Sequence, residues 1–404
     1  MCVSSAILLA SSAMLGVSPS AIDVPAGTEL QIRLKSKADT ASSKVKDSVD
    51  AVVISPVVLN GRVVIPAGTA VKGQISELTR AENVEQRAGL KLTFTELVSP
   101  RGKSAKIKSR LIDVDNAREE VDENGRVVGI LAKETIASRI NQGIAKVAQK
   151  NPALAEILET TKATVIKDTN PEIDYGPGVE MTVRLLDPIK WDAASVEQPA
   201  IRALGEEENA SVYAAVNNQP FRAIAAKTNH PSDITNLMFV GTQQEVEAAF
   251  QDAGWSTAHA LNDQSVLETF RAIVELRGYK EGPVSVLLLD GVPPDMVFQK
   301  QNNTFAMRHH MRVWRRPGTL FGRPIWVAAA THDNGIAFAE EQYTFTHSID
   351  GHIDKERAKI VSDLLFTNRV KSLALVQRPG APTSGQTSTN TVIETDGRMA
   401  VVIF

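Results

Sequence analysis

The chain has 404 residues, of which 43% are hydrophobic and 23% are charged. This length and composition are typical of two or three globular domains, and they exclude a short peptide and a wholly disordered chain. The net charge of −3 provides no global positive field for a phosphate backbone, so no nucleic-acid partner is predicted.

The first segment, residues 1–21, is apolar and ends in small residues that a signal peptidase accepts. Its charge-free run is shorter than a membrane-spanning helix, which needs about 20 residues. The basic n-region that usually begins a signal peptide is missing. We interpret it as a truncated signal peptide, the alternative being a frayed apolar arm. The sequence therefore predicts export to the periplasm or cell envelope, with no transmembrane helix in the mature chain. The only cysteine, Cys2, lies in this segment, so cleavage removes thiolate and disulfide chemistry.

Residues 22–190 predict one β-rich domain, a small barrel or sandwich. Runs of β-forming residues separated by Gly, Pro and Asn turns predict strands at 30–34, 51–59, 62–65, 70–75, 90–97, 105–111 and 179–186. The tetrapeptide Pro-Ala-Gly-Thr occurs at 25–28 and 66–69, and the pattern of 27–34 returns at 178–185. Helical spacing at 131–167 predicts an inserted helical hairpin that covers an open end of the barrel; a membrane-surface helix is the alternative.

These turn-and-strand patterns, with GTELQIRL at 27–34 and PVVLNGRVVIPAGTAVKG at 56–73, resemble the β-barrel of conjugation and type IV secretion scaffold proteins. The resemblance covers about 22–110 and 172–188. It implies a cell-envelope β domain and no chemistry.

Residues 191–218 predict a linker, and residues 219–370 predict a mixed C-terminal domain. Helices are predicted at 244–253, 264–276 and 353–366, and strands at 236–240, 284–289, 296–300, 306–314, 324–330 and 342–347. The predicted fold class is α+β and multidomain: a β-barrel or sandwich with inserted helices, then a mixed α/β domain. Residues 371–404 predict a low-complexity tail that ends in an edge strand at 398–404.

Five of the seven histidines fall between residues 309 and 352. In a strand at 308–314, the two-residue period places Arg308, His310, Arg312 and Trp314 on one face, which predicts an anion site with His310 as proton donor or metal ligand. His309 falls on the opposite, apolar face and is predicted to be a core histidine. For His332, a turn before Asn-Gly is the simpler interpretation.

A second cluster spans 346–357, with the sequence THSIDGHIDKER. His347, Asp350 and Asp354 are candidate ligands of a divalent metal, since imidazole and carboxylate groups are ordinary ligands of zinc, manganese and iron. His310, His347 and Asp350 are also candidate catalytic groups. The structural alternative is that Asp350 or Asp354 caps the following helix while Glu356 and Arg357 pair with each other on its solvated first turns.

Five segments in this order, at 232–241, 253–255, 295–299, 308–314 and 346–357, resemble the LssY-type C-terminal domain of bacterial proteins over about 220–370. The resemblance implies envelope or lipid-linked biology. It places family motifs on His309, His310, Arg312, His347, Asp350, Asp354 and Arg357. The Ser-Gly-His signature of lipid phosphatase relatives is missing, so their mechanism is not implied.

Two functions are compatible with these motifs. In the first, an exported envelope protein binds an anionic or lipid-linked ligand, or an envelope partner, through Arg308, Arg312, Trp314 and Arg357, without turnover. In the second, a metal-assisted hydrolase of a phosphate ester or related anion uses His310, His347 and an aspartate to hold a divalent metal. The sequence has no nucleophile or phosphate-loop motif, which favours binding over a known enzyme class.

Overall fold

The computed structural model describes residues 21–59, 62–83, 85–131, 169–192, 201–226, 228–257, 286–304, 307–339, 344–387 and 391–404, with isolated positions between 144 and 159. Residues 1–20 of the predicted signal peptide, most of the predicted insertion at 131–167 and the predicted helix at 264–276 lie outside the described residues. In the described part of the chain, no helix is long and apolar enough to cross a lipid bilayer.

The N-terminal domain consists of strands that alternate with short turns. They are β1 (Ala21–Val24), β2 (Glu29–Leu34), β3 (Ala38–Asp39), β4 (Ser48–Val53), β5 (Val57–Leu59), β6 (Arg62–Ile65), β7 (Ala70–Thr79), β8 (Gly89–Val98), β9 (Ser104–Lys106), β10 (Ser109–Val114), β11 (Glu120–Val121), β12 (Arg126–Val128), β13 (Asp174–Tyr175), β14 (Glu180–Leu185) and β15 (Ile189–Asp192). The main sheet has the order β10-β14-β2-β4-β7-β8-β12-β11, with β9 beside β8. The end strand β10 returns to β8, near the other end of this order, since Ser109 Oγ donates to the Phe94 carbonyl at 2.7 Å. The sheet is thus a nearly closed barrel around an apolar core.

The repeated sequence patterns give repeated local structure. In both Pro-Ala-Gly-Thr turns the threonine hydroxyl donates to the proline carbonyl, at 2.7 Å and 2.8 Å, and the glycine has φ near +86°. This left-handed conformation is readily available to glycine and disfavoured for other residues. The two strands that share a pattern, β2 and β14, are antiparallel neighbours. Each glutamate of the pattern therefore faces the arginine of the other copy, giving the pairs Glu29–Arg184 and Glu180–Arg33.

The C-terminal domain contains the three helices of the described residues: α1 (Glu206–Asn217), α2 (Gln243–Asp252) and α3 (Ile353–Phe366). Its strands are β16 (Arg222–Ala225), β17 (Pro231–Ile234), β18 (Leu237–Val240), β19 (Ser256–Thr257), β20 (Leu287–Leu288), β21 (Met296–Gln301), β22 (Met307–Leu320), β23 (Arg323–Ala339), β24 (Thr344–Ile349), β25 (Ser372–Gln377), β26 (Ser384–Gln386), β27 (Val392–Glu394) and β28 (Arg398–Ile403). The main sheet has the order β19-β21-β22-β23-β18-β28-β25, with β24 beside β23.

Apolar side chains on both faces of this sheet build a three-layer domain. On one face, Phe250 of α2 and Leu364 of α3 pack in a core with Phe239 and Met311. On the other face, α1 and the small sheet β17-β16-β20 cover a core that includes Trp314. The predicted α+β multidomain fold is confirmed.

Two local predictions are wrong. The strand β28 lies inside the sheet, parallel to β18 and antiparallel to β25, so it is not an edge strand. The residues of β28 after Arg398 are all buried, and a run of valine and isoleucine suits a strand that is covered on both faces. The predicted turn at His332 is absent, because β23 continues through it and pairs with β22 on one side and β24 on the other.

The two domains meet through charged and polar side chains. At the centre, Lys300 Nζ lies 2.6 Å from Glu180 Oε1 and 2.9 Å from Asp363 Oδ2. Lys359 pairs with the same two carboxylates, and Arg33 lies 2.6 Å from Glu180. Burial raises the pKa of Glu180, but the charges of Lys300, Lys359 and Arg33 together outweigh burial and lower this pKa. Each described apolar cluster lies within one domain, so ion pairs and hydrogen bonds dominate the described interface.

The two copies of the strand pattern provide a matched test. We expect Glu180→Gln to lower the free energy of unfolding by about 3 kcal/mol or more, because it leaves buried cations without their carboxylate. Glu29→Gln, at the equivalent exposed pair, should cost less than about 1 kcal/mol. Urea unfolding measures both. Equal losses in the two variants would contradict the buried network.

Candidate metal centre at the domain interface

Two histidines meet on neighbouring strands of the C-terminal sheet. His309 of β22 lies directly opposite His332 of β23 in the antiparallel register. Their rings stack with centroids 4.3 Å apart and planes 23° from parallel. The side chains therefore leave the sheet together, on the face that points to the N-terminal domain.

Asp115 of the N-terminal domain completes this group. It follows β10 directly, after a β-bulge between Leu111 and Asp113 that changes which way the following side chains point. Both of its carboxylate oxygens lie 3.1 Å from His309 Nε2. Asp115, His309 and His332 each offer one ligand atom, and these atoms all lie within 4.8 Å of one another.

His309 is held between two carboxylates from different domains. Its Nδ1 lies 2.7 Å from Glu356 Oε2 of α3, and its Nε2 faces Asp115. Burial alone would lower the pKa of His309, but the charges of Glu356 and Asp115 outweigh it and raise this pKa to about 10. Burial opposes ionisation of Asp115 as well, yet the charge of His309 keeps its pKa well below the usual range.

His309 is buried and each of its ring nitrogens has a hydrogen-bond partner, as predicted for a satisfied core histidine, but both partners are carboxylates. The strand face was predicted correctly, because Met311 and Val313 on the same side lie in the apolar core. At the end of that face, however, Asp115 and Glu356 reach the imidazole from other elements. Neither contact follows from the strand pattern.

Asn116 determines which nitrogen of His332 carries a proton. The Asn116 amide nitrogen donates to the Lys300 carbonyl at 3.3 Å, so its oxygen is the atom 2.8 Å from His332 Nε2. Since this oxygen only accepts, Nε2 must donate. Burial, reinforced by the charge of His309, lowers the pKa of His332. A neutral His332 with its proton on Nε2 has a lone pair on Nδ1, the atom that a metal would bind.

Glu356 has a second carboxylate oxygen, Oε1, that His309 does not use. Its side chain is 3% exposed, and Oε1 is buried with no hydrogen-bond partner among the described residues. A cavity of about 410 Å³ opens beside it. The lining includes the three residues of the metal group and one face of α3 with Lys355, Glu356 and Lys359. A smaller cleft of about 160 Å³ shares Asp115 and Lys359 with this cavity.

The arginines predicted to bind an anion are buried and paired with carboxylates. Arg308 Nε lies 3.0 Å from Asp333, and Arg312 Nη1 lies 2.9 Å from Asp233. Arg357 forms ion pairs with Asp354 and Asp396. Trp314 is buried on the same face as Arg308 and donates from Nε1 to the Val292 carbonyl at 3.1 Å.

In the described part of the chain, the structure does not bring the predicted metal ligands together. His310 Nε2 lies 2.7 Å from Thr331 Oγ1, on the sheet face opposite His309. Asp350 accepts from the His352 backbone N–H at 2.9 Å, at the start of α3. Asp354 lies inside α3 and accepts from Thr395 Oγ1 and the Asp396 N–H. The side chain of His347 lies outside the described residues, although the residue is within β24.

Sequence reasoning missed Asp115, Asn116 and Glu356. The sequence does contain a signal for Glu356. Residues 352, 355, 356 and 359 fall on one face of a helix, and all four have charged or imidazole side chains. Asp115 belongs to the other domain and has no local pattern that connects it to residue 309.

Residues 216–399 match the family model described as LssY C-terminus, which confirms the resemblance found in the sequence motifs. The match includes His309, His332 and Glu356 but not Asp115. No curated protein matches this chain. Among solved structures, ComB10 of the Com type IV secretion system of Helicobacter pylori aligns with 42% of this chain and 89% of its own, at 12% identity and a TM-score of 0.22. A similarity of this size says nothing about what the chain binds or does.

The pKa of His309 is a direct test of the site's electrostatics. In metal-free protein, we expect Glu356→Gln to lower this pKa from about 10 towards its ordinary value, because it removes the main charge that raises it. NMR titration of the ring protons measures the change. Glu394→Gln should leave it unaltered, since Glu394 faces the exposed His352 instead. An unchanged midpoint in Glu356→Gln would contradict the described contact.

Proposed function

We propose that the LssY C-terminal domain of this chain, docked on the N-terminal barrel, holds a divalent metal ion between Asp115, His309 and His332, and that the ion serves hydrolysis of an anionic substrate. The observation that carries this proposal is the convergence of two imidazoles and one carboxylate within 4.8 Å, beside a cavity.

The donor set fits a catalytic rather than a purely structural ion. Catalytic zinc sites use three protein ligands from histidine and carboxylate groups and leave the fourth position to water. Zinc bonds of about 2.0–2.2 Å place neighbouring ligand atoms a little over 3 Å apart. Asp115 Oδ1 and His309 Nε2 lie 3.1 Å apart, and a bound metal would replace the proton on Nε2. The same donors also suit iron(II), so the identity of the ion is part of the test.

The surroundings of the ligands support the same proposal. Ligating histidines commonly donate their second ring N–H to a carboxylate or carbonyl oxygen. His309 has Glu356 in this position, and His332 has Asn116. These contacts orient both rings before an ion arrives.

The cavity supplies room for a substrate and a positive charge for its anion. Lys355 lines the opening, with its side chain 70% exposed, and its ammonium group lies 3.2 Å from Asp350. A bound metal would supply a hydroxide nucleophile at neutral pH. In hydrolysis of a phosphate ester, the hydroxide oxygen would bond to phosphorus as the bond from phosphorus to the alcohol oxygen breaks, and the departing alkoxide would take a proton from solvent water. Lys355 would bind the phosphate oxygens.

Binding of an anion without turnover is the second candidate. It now centres on the cavity rather than on Arg308 and Arg312, because each of these two is engaged with a buried carboxylate. Both candidate functions include export to the cell envelope and binding of partners there. They are supported by the apolar leader at 1–21, and cell fractionation tests them.

Metal binding is the first measurement. We expect full-length protein, purified without a His-tag and stripped of metal, to bind one zinc, manganese or iron(II) ion per chain. Asp115→Asn and His332→Gln should each weaken binding by about tenfold or more, because each removes a ligand. Elemental analysis and calorimetry measure stoichiometry and affinity.

Two matched variants control for the surroundings. Asp113→Asn changes a carboxylate two residues from Asp115, and His352→Gln changes an exposed histidine on the cavity wall. Both should bind metal as the wild type does. Metal at background level in the wild type, or equal affinity in all four variants, would sink the proposed centre.

Turnover separates the two candidate functions. On a panel of chromogenic phosphate and carboxylic esters, we expect metal-loaded wild type to be active and Lys355→Ala to raise KM with little change in kcat. Lys371→Ala, an exposed lysine elsewhere, is the control. Stoichiometric metal with no turnover of any ester would favour anion binding alone.

A further inference from the structure

We propose that the metal ion also locks the two domains together, so that metal occupancy and domain docking are one coupled equilibrium; this inference rests on the proposed metal centre. Asp115 and Asn116 come from the N-terminal domain, whereas His309, His332 and Glu356 come from the C-terminal domain. Neither domain alone contains the three ligands.

The surface around the centre is a polar docking site for the loop at 115–119. Asn302 donates to the Asp115 carbonyl at 3.3 Å, and the Asn303 amide nitrogen donates to Glu119 Oε2 at 2.7 Å. In return, the Arg118 backbone N–H donates to Asn303 Oδ1 at 3.1 Å. Asn303 therefore bonds the loop twice without touching a proposed ligand.

The polar nature of this surface makes the coupling strong. Hydrogen bonds and ion pairs exchange with water when the domains separate, so each contributes little net free energy to docking. A metal ion that binds both domains at once has a higher affinity for the docked state than for the separated state. This difference in affinity is what favours docking. By reciprocity, docking strengthens metal binding by the same factor, so a variant with a smaller docked fraction in the absence of metal binds metal correspondingly more weakly.

Hydrogen exchange on the full-length chain tests this coupling with zinc alone as the probe. We expect saturating zinc to slow amide exchange in peptides covering 115–119 and 300–303 by about tenfold or more in the wild type. His332→Gln, which keeps an N–H donor for Asn116 but lacks the imidazole ligand, should show no zinc effect. Asn303→Ala should lower zinc affinity about tenfold, whereas Asn209→Ala, on α1 of the C-terminal domain, should not.

The outcomes distinguish this inference from the metal centre itself. Stoichiometric zinc binding without any change in amide exchange would overturn the inference and leave the metal centre standing. The same conclusion would follow if Asn303→Ala exchanged faster at 115–119 but bound zinc with wild-type affinity. Slower exchange in His332→Gln would place the zinc effect elsewhere and also overturn it. Absence of binding of zinc, manganese and iron(II) by calorimetry would overturn both.

Discussion

The contact between Asp115 and His309 joins a partly buried carboxylate of one domain to a buried imidazole of the other, beside a cavity. Removing such groups from water is costly unless each has partners. The surrounding structure supplies them: Glu356 on the second nitrogen of the imidazole, and Asn302 on the backbone of Asp115. The arrangement of the two domains, the cavity and the candidate centre all depend on this contact.

A second feature places the barrel against the C-terminal domain. The strands β2 and β14 carry the same pattern, and their antiparallel pairing creates two glutamate–arginine pairs. One pair faces solvent, whereas the other meets Lys300 and Lys359. One local sequence rule thus produces a weak surface ion pair at one end of the strands and the centre of a domain interface at the other. Burial alone makes the difference.

Much of the fold could be predicted because it depends on local signals. The alternation of β-forming residues with turns located most strands of the barrel, and the helical periodicity of 353–366 gave the bounds of α3. Strand parity placed His309 and His310 on opposite faces, as observed. The candidate centre could not be predicted, because it joins residue 115 to residues 309, 332 and 356 through the docking of two domains. The turn predicted at His332 failed for a related reason: pairing with β22 and β24 outweighs the turn preference of Asn-Gly.

The parallel pairing of β18 with β28 has a consequence for the order in which the chain folds. The centre of the C-terminal sheet joins residues 237–240 to residues 400–403, so it stays open on the ribosome until residues 400–403 have emerged. The barrel is different, since its pairing of β2 with β14 is available once residue 185 has been made. The N-terminal domain can therefore fold first and offer the loop at 115–119 as a preformed surface. A nascent chain stalled before β28 would expose an apolar sheet, and it is at this stage that chaperones would be needed most.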